Sequence, residues 1–336
     1  MSTTIDVIAT TISGSISDWS KVERIGPLFA EHGFDDLHLH VVKSHAEARV
    51  RARELVADDR RLLISAGGSG TFNAVLEGCC DAKVPLGDIR LGFLRKGSAD
   101  LLGKVLGMPD EIEAAVAVFA RSIGAGHVIL CDVLSALDIS EKAAPRHFVG
   151  YGGAEIFGRI PHYTENRFMK WYKGVLSQIF GDLGPFTLGM TLALLEKILK
   201  GPFGRRNWRI LVDGLEVATG RFQALIVVNG YLGPEMPYSD DDLGSGRFHL
   251  FALRDLGTRH LIGQVRHARD GSIMQDPAKW GMEHFPIKGI LTLETMDNRA
   301  FPLNVDGSTL FCRGTATIER VDGISLFARL PDQADV

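Results

Sequence analysis

A glycine-rich turn joins an apolar segment to a helix-like segment in residues 64–78, and this turn constrains the fold more than any other feature. The apolar residues 62–64 predict a buried strand, and glycines at positions 67, 68 and 70 precede Thr71. Glycines let a backbone approach an anion closely, and the N–H groups at a helix N-terminus attract negative charge. The Thr71 hydroxyl is suited to cap the helix or to bind a phosphate oxygen. An ordinary strand-to-helix turn carries similar residues, so the motif alone leaves both interpretations open.

The first 125 residues alternate between strand-like and helix-like segments. We predict strands at residues 6–10, 37–42, 61–65 and 89–94, and helices at residues 21–31, 46–57, 71–80 and 109–122. Such alternation is typical of a parallel sheet with helices on both faces and ligands at the carboxyl ends of its strands. The sequence therefore predicts an α/β domain over residues 1–125, with the glycine turn at a strand end.

Beyond residue 125 the pattern changes to short β segments separated by glycine, proline, asparagine and aspartate. We predict strands at residues 128–138, 146–151, 208–212, 215–219, 224–228, 247–252, 287–293 and 315–320, with a helical insertion over residues 163–200. Antiparallel strands at this density indicate a sandwich or a barrel. Residues 126–321 are therefore predicted to form a second, β-rich domain.

The glycine turn resembles the Gly-Gly-Asp-Gly-Thr signature of the diacylglycerol kinase catalytic family, which includes sphingosine, ceramide and bacterial lipid kinases and is related to NAD kinase. Further similar segments follow the family's order, at residues 43–48, 95–109, 148–154, 227–230 and 304–308. The resemblance implies an NAD-kinase-like α/β domain with a parallel sheet, followed by an antiparallel β-sandwich-like domain with a helical insertion. It also implies that the chain end, about residues 322–336, returns to the first domain.

The resemblance implies an ATP- and Mg²⁺-dependent kinase that phosphorylates the hydroxyl of a ceramide, a sphingoid base or a diacylglycerol in an interdomain cleft. It assigns nucleotide binding to residues of two turns: Gly67, Gly68, Ser69, Gly70, Thr71 and Asn73, then Gly97 and Ser98. Lys96 directly precedes Gly97 and is the favoured cation for the phosphates, although a solvated surface lysine stays an open interpretation. Asp306 and Asp100 are the acidic candidates for catalysis, and Asp306 is preferred as the base. Because Asp-Gly between apolar strands is also a strong hairpin signal, a purely structural role for Asp306 stays open.

Three positions that carry carboxylates in the family lack them here, namely Ser69, Leu101 and Ser308. These replacements support a second hypothesis, a non-catalytic nucleotide- or lipid-binding member of the family. NAD kinase is a third hypothesis, less favoured because that family also depends on the aspartate that Ser69 replaces. A run of aspartates near the family's metal-binding loop supplies weak metal candidates, and a solvated acidic loop is the favoured interpretation of Asp240, Asp241 and Asp242.

Composition and charge limit the partners and the location. The net charge of −4 gives no general affinity for nucleic acid. Four cysteines without CxxC spacing, and an N-terminus without a secretory pattern, predict a cytoplasmic protein with reduced thiols. The apolar residues 186–199 are too few to span a bilayer. The basic residues 200–209 are suited to peripheral contact with the inner membrane face, and an ordinary surface loop is an equally open interpretation. Edge strands in the second domain would allow a homodimer.

Overall fold

The chain divides into two compact units. The computed structural model describes residues 4–10, 19–95, 101–140, 144–164, 206–234, 236–269 and 271–331. The first unit comprises Met1–Val133 and Asp322–Val336, and the second comprises Leu134–Val321. The chain passes between the units within two strands, β5 (Val128–Asp138) and β16 (Thr315–Phe327). The first unit thus extends beyond residue 125, where the sequence pattern changes.

Strands and helices alternate along the first unit, as the sequence predicts. The strands are β1 (Ile5–Thr10), β2 (Leu37–Val42), β3 (Leu62–Gly67) and β4 (Arg90–Arg95), and the helices are α1 (Trp19–Glu31), α2 (His45–Ala57), α3 (Ser69–Asp81), α4 (Leu101–Val105) and α5 (Ile112–Ala125). Helix α2 is capped by Ser44, whose side chain accepts the Glu47 N–H at 3.0 Å. Helix α5 begins later than the predicted residue 109, because its N-cap Glu111 still has an extended backbone conformation.

The sheet of the first unit runs in the order β2-β1-β3-β4, and all of these strands are parallel. The end of β16 pairs with β4 in parallel through Ser325 and Leu326, and so joins this unit. Strands β1 and β3 are buried at every position, as expected for a sheet covered on both faces. Since β1 lies between β2 and β3, the winding direction reverses there. Open α/β sheets bind ligands beside the carboxyl ends of strands at such a switch point.

The second unit consists mainly of antiparallel strands. They are β6 (Arg146–Phe148), β7 (Tyr151–Glu155), β8 (Trp208–Val212), β9 (Leu215–Gly220), β10 (Phe222–Val228), β11 (Phe248–Arg254), β12 (Met282–Ile287), β13 (Leu291–Thr295), β14 (Phe301–Val305) and β15 (Ser308–Cys312), together with parts of β5 and β16. One sheet has the order β12-β11-β10-β7-β14-β15, and a second group has the order β16-β13-β8-β9. In the part of this unit that the structure describes, three α-helices accompany the strands: α6 (Ile156–Thr164), α7 (Thr258–Arg269) and α8 (Pro277–Trp280).

Buried side chains from both groups of strands form one core. The Trp208 ring of β8 lies 4.7 Å from the Phe301 ring of β14, and the two rings meet edge to face. The Trp208 indole donates a hydrogen bond of 2.9 Å to Glu155, which satisfies the buried N–H. Two sheets around a shared core confirm the predicted sandwich-like second domain.

Several predicted strands are wrong in extent, and the strand predicted at residues 315–320 continues to Phe327 as β16. The segment predicted at residues 287–293 contains the end of β12 and the start of β13, because the Ile290 N–H turns toward the Asp213 carboxylate at 2.8 Å. The segment predicted at residues 146–151 divides into β6 and β7. The helical insertion predicted over residues 163–200 lies outside the described residues from residue 165 onward. Within the described ranges, no helix combines the length and the apolar character needed to cross a membrane.

A buried carboxylate stabilises the amino ends of the first unit's strands. Asp6 in β1 is 1% exposed and binds His40 at 2.8 Å and Arg60 at 2.7 Å. Burial pushes the pKa of Asp6 upward, but the hydrogen bonds from His40 and Arg60 outweigh it and hold the pKa below 3.8. The ionised form of Asp6 therefore stabilises the folded state.

We expect Asp6→Asn to lower the free energy of unfolding at pH 7 by about 2 kcal/mol, because it leaves Arg60 without its buried partner. A depressed folded-state pKa contributes stability above the unfolded value and loses it as the pH falls through the folded value. The difference between wild type and variant should therefore shrink below pH 3.8. Urea titrations at several pH values measure it. The exposed Asp35→Asn serves as the control, and an equal loss in both variants would contradict the argument.

Candidate functional site

The glycine turn forms the start of helix α3 at the carboxyl end of β3. Gly67 is the last residue of β3, and Gly68 is the extended N-cap of a helix with no side-chain cap and no acidic residue in its first turn. The N–H groups of Ser69 and Gly70 donate to no acceptor among the residues that the structure describes. A helix N-terminus with free N–H groups and no competing carboxylate is suited to bind an anion.

A hydrogen bond between two threonines holds this helix start against β1. The hydroxyls of Thr10 and Thr71 lie 2.6 Å apart, and both residues are fully buried. A Cβ atom on Gly67 would lie 2.4 Å from the Thr71 hydroxyl, so glycine is required at this position. The Thr71 side chain thus fixes the turn and does not cap the helix. Sequence reasoning missed Thr10, whose one signal is its place at the end of the first strand.

The first turn also borders the start of helix α2. His45, the first residue of α2, is exposed, and a Cβ atom on Gly70 would lie 2.8 Å from its ring. Further along α3, Asn73 is buried, and a Cβ atom on Gly78 would lie 2.2 Å from the Arg49 carbonyl oxygen. Gly78 therefore permits close packing of α3 on α2. His45 belongs to a segment that the resemblance singles out, but the sequence does not show that it reaches the glycine turn.

Strand register places the carboxyl end of β4 next to the first turn. Gly67 of β3 pairs with Arg95 of β4, so the chain leaves β4 beside the glycine turn. Lys96, Gly97, Ser98 and Asp100 then follow, and they lie outside the described residues. The description resumes with Leu101 at the start of α4. Arg95, the last residue before the predicted second turn, therefore lies at the carboxyl edge of the sheet beside Gly67. The residues predicted to bind a nucleotide together with the first turn follow Arg95 in the sequence.

In the second unit, Asp306 of the segment 304–308 binds the segment 148–154, and the resemblance identifies both segments. Asp306 and Gly307 form a two-residue hairpin turn between β14 and β15, with φ angles of +43° and +81°. The Asp306 carboxylate accepts the N–H groups of Val149 at 3.0 Å, Gly150 at 3.1 Å and Tyr151 at 2.7 Å. Burial raises the pKa of Asp306, while these three donors oppose the rise.

The segment 227–230, which the resemblance also identifies, contacts residues 149–150 through Asn229. The Asn229 backbone N–H donates to the Gly150 carbonyl at 3.0 Å, and its side chain donates to the Val149 carbonyl at 2.8 Å. Residues 148–154, 227–230 and 304–308 therefore converge at the ends of β7, β10 and β14. Ser308 begins β15 directly after the turn and is partly exposed. This convergence could not be read from the sequence, because the three segments are far apart along the chain.

The acidic run does not form a metal site within the described residues. Asp240 and Asp242 are exposed, as a solvated loop requires. Asp241 binds Arg247 and accepts a hydrogen bond of 2.8 Å from His249, and its bond to Arg247 is the main cause that lowers its pKa. Across the described part of the chain, no group of three His, Cys, Asp or Glu side chains is placed to hold a metal ion.

Comparisons with known proteins identify the family. Residues 5–131 match the model of the diacylglycerol kinase catalytic domain. A diacylglycerol kinase from Staphylococcus carnosus (strain TM300) is 24% identical over 271 residues, which cover 80% of this chain and 76% of that protein. The matched domain contains the whole switch-point edge described above. Residues 5–131 therefore belong to the diacylglycerol kinase catalytic domain family, and the resemblance noted in the sequence is confirmed.

Solved structures show the same fold. A diacylglycerol kinase from Bacillus anthracis str. Sterne has a TM-score of 0.66 at 19% identity, covering 97% of both chains. An NAD kinase from Archaeoglobus fulgidus in complex with ATP has a TM-score of 0.52 at 12% identity, covering 97% of this chain and 94% of that one. These likenesses confirm the predicted fold class, with a parallel sheet in the first unit and antiparallel strands in the second.

We expect Gly67→Ala to lower the free energy of unfolding by about 2 kcal/mol, because the new methyl group would overlap the Thr71 hydroxyl. Thermal and urea unfolding measure the change. Gly124→Ala is the matched control, since Gly124 lies on α5 with no atom within 4 Å of an added Cβ and should gain up to about 1 kcal/mol. Adding Thr71→Ala should recover part of the Gly67→Ala loss if the overlap is its cause. A variant as stable as wild type would contradict the packing argument.

Proposed function

We propose that the protein is an ATP-dependent lipid kinase that transfers the γ-phosphate of ATP to the hydroxyl of a diacylglycerol, a sphingoid base or a ceramide. The observation that carries the proposal is the uncapped N-terminus of α3 at the switch point between β1 and β3, inside a domain of the diacylglycerol kinase catalytic family. The relative from Staphylococcus carnosus is itself a diacylglycerol kinase, which favours a lipid as the acceptor.

In the proposed reaction, the first unit holds the triphosphate. The N–H groups of Ser69 and Gly70 would bind phosphate oxygens, and the Thr10–Thr71 contact would keep them in place. Gly97 and Ser98 would extend the cradle, and Lys96 would add positive charge. Phosphoryl transfer depends mainly on positioning and on electrostatic stabilisation. The lipid hydroxyl oxygen bonds to the γ-phosphorus, the bond to the β–γ bridging oxygen breaks, and ADP leaves.

We propose Asp306 as the acceptor of the lipid hydroxyl proton. The raised pKa of Asp306 supports this role, because it brings the carboxylate closer to the pH at which it must exchange protons. The three N–H donors hold it in one orientation. They equally suit a structural role in the turn, so an experiment must separate the two roles. Asp100 is kept as a second acidic candidate from the sequence.

The described residues do not fit a protein-held Mg²⁺ ion. Asp241 is bound to Arg247 and His249, and the positions of Ser69, Leu101 and Ser308 offer no carboxylate. Since Mg²⁺ prefers few carboxylates together with substrate phosphates, we propose it only as an ion that accompanies ATP. No step of the reaction above is assigned to the metal.

The same replacements favour a second candidate function, a family member that binds a nucleotide or a lipid without catalysis. Ser69 is exposed at the first position of α3, where a carboxylate would stand beside the free N–H groups. A serine there cannot accept a proton at neutral pH without a basic partner. Retained binding with no phosphorylated product would support this candidate over the kinase.

Turnover with labelled ATP tests the proposed function. We expect the full chain to form a phosphorylated product with at least one of the three lipid classes.

We also expect Ser69→Asp to weaken ATP binding about fivefold, because the carboxylate would compete with phosphate for the helix N-terminus. Calorimetry measures the affinity, and Ser69→Asn is the uncharged control. ATP binding without any product, followed by a large gain of turnover in Ser69→Asp with Ser308→Glu, would reject the kinase in favour of a degenerate site.

Turnover of Asp306→Asn tests the proposed base. We expect kcat to fall about 100-fold or more with little change in ATP affinity, and the wild-type kcat to fall in acid as Asp306 becomes protonated above its ordinary pKa of 3.8. Asp213→Asn is the matched control, because Asp213 and Gly214 form an equivalent hairpin turn in which Asp213 accepts the Ile290 N–H. If Asp306→Asn lowers Tm but keeps the wild-type kcat, and kcat still falls in acid as in wild type, the role of Asp306 is structural.

A further inference from the structure

Helix α7 of the second unit presents a basic surface on an acidic protein. The sequence of α7 contains no Asp or Glu, whereas it contains three arginines and two histidines. The whole chain has a net charge of −4, so this positive surface is a local feature. Its buried side is well anchored: Leu261 is 2% exposed, and Gln264 donates hydrogen bonds to the carbonyls of Arg254 at 2.9 Å and Trp280 at 2.7 Å.

An aliphatic side chain stands between two arginines on the outer face of α7. Arg259, Ile262 and Arg266 are spaced three and four residues apart, so they share one side of the helix. All three are exposed, and Ile262, at 78%, is the most exposed of the large apolar residues that the structure describes. Within the described residues, neither arginine forms an ion pair. An exposed isoleucine between two arginines is suited to bind a surface that has both apolar and anionic groups.

Helix α8 adds an aromatic ring and a third cation beside this stripe. The Trp280 ring lies 4.3 Å from the His267 ring, and a Cβ atom on Gly263 would lie 2.8 Å from the indole. The Lys279 ammonium lies 5.3 Å from the centre of the Trp280 ring. Trp280 thus packs along α7 next to the arginine stripe. Tryptophan favours interfaces where one edge is apolar and the other is wet.

The acidic groups around α7 are engaged elsewhere. Asp255 accepts hydrogen bonds from Gln223 at 2.7 Å and from the Gly257 N–H at 2.9 Å. Glu283 binds Arg254, and Asp276 caps α8 by accepting the Lys279 N–H at 3.3 Å. These contacts leave the cations of the arginine stripe available to an external anionic partner.

We propose that Arg259, Ile262, Arg266, Lys279 and Trp280, together the α7 surface, dock the protein on an anionic lipid bilayer at headgroup depth. Interfacial helices bind by burying apolar side chains between basic ones that face anionic lipids. Each arginine or lysine near an anionic leaflet strengthens binding. The purpose of docking rests on the proposed function, since a lipid kinase must reach a substrate held in a membrane. The segment at residues 200–209, which the sequence suggests for this role, is described only from residue 206.

Vesicle sedimentation of the full chain, without ATP, tests the α7 surface. We expect binding to phosphatidylcholine vesicles that contain phosphatidylglycerol, little binding to phosphatidylcholine alone, and weaker binding as salt rises. The double variant Arg259→Glu, Arg266→Glu should lower the partition coefficient about 20-fold or more, and Ile262→Asp should also lower it. The controls are Arg53→Glu on α2 and Leu215→Asp, whose side chain is 73% exposed on the β8–β9 hairpin.

Unchanged binding by the α7 variants, or equal binding to neutral vesicles, would overturn the proposal. The proposal would also fail if the α7 variants abolished self-association of the protein but not vesicle binding, because the partner of the α7 surface would then be a second copy of this chain. A water-soluble, short-chain diacylglycerol separates this test from that of the proposed function. The α7 variants should phosphorylate it as well as wild type does. A protein that binds anionic vesicles through α7 but phosphorylates no lipid would retain the docking surface and lose the kinase assignment.

Discussion

The contact between Thr10 and Thr71 fixes the switch-point edge of the first unit. Their hydroxyls lie 2.6 Å apart only because Gly67 has no side chain to separate them. The contact ties the start of α3 to the end of β1, and so sets where the N–H groups of Ser69 and Gly70 lie. A phosphate cradle made of main-chain groups depends on such support, since N–H groups cannot be reoriented without moving the helix.

Asp306 has a comparable effect in the second unit. One carboxylate gathers three N–H groups from residues 149–151, and Asn229 binds the carbonyls of the same segment. Asp306, like Gly67, is therefore a residue that carries the family resemblance and also shapes the backbone.

Local sequence patterns predicted strands β1 to β4 and four of the five helices of the first unit, because these elements have their own apolar period and a clear stop. They missed the short helix α4. They failed where apolar residues continue through a turn. Ile287, Ile290 and Leu291 suggest one strand, and only the Asp213 carboxylate beside residue 290 shows that the chain turns there. Helix α7 was missed because its outer face is basic and its apolar face is narrow. In the candidate site, the glycines of the first turn could be predicted, but Thr10 and His45 could not.

The sequence by itself determined the strand–turn–helix at Gly67–Gly70, the Ser44 cap and the hairpin signal at Asp306-Gly307, because these features depend on neighbouring residues and their φ/ψ preferences. The tertiary structure alone decided that Thr10 meets Thr71, that His45 borders Gly70, and that Asp306 binds the N–H of Val149 across 157 positions of the chain. Such contacts follow from strand order and register, which no local pattern of side chains encodes.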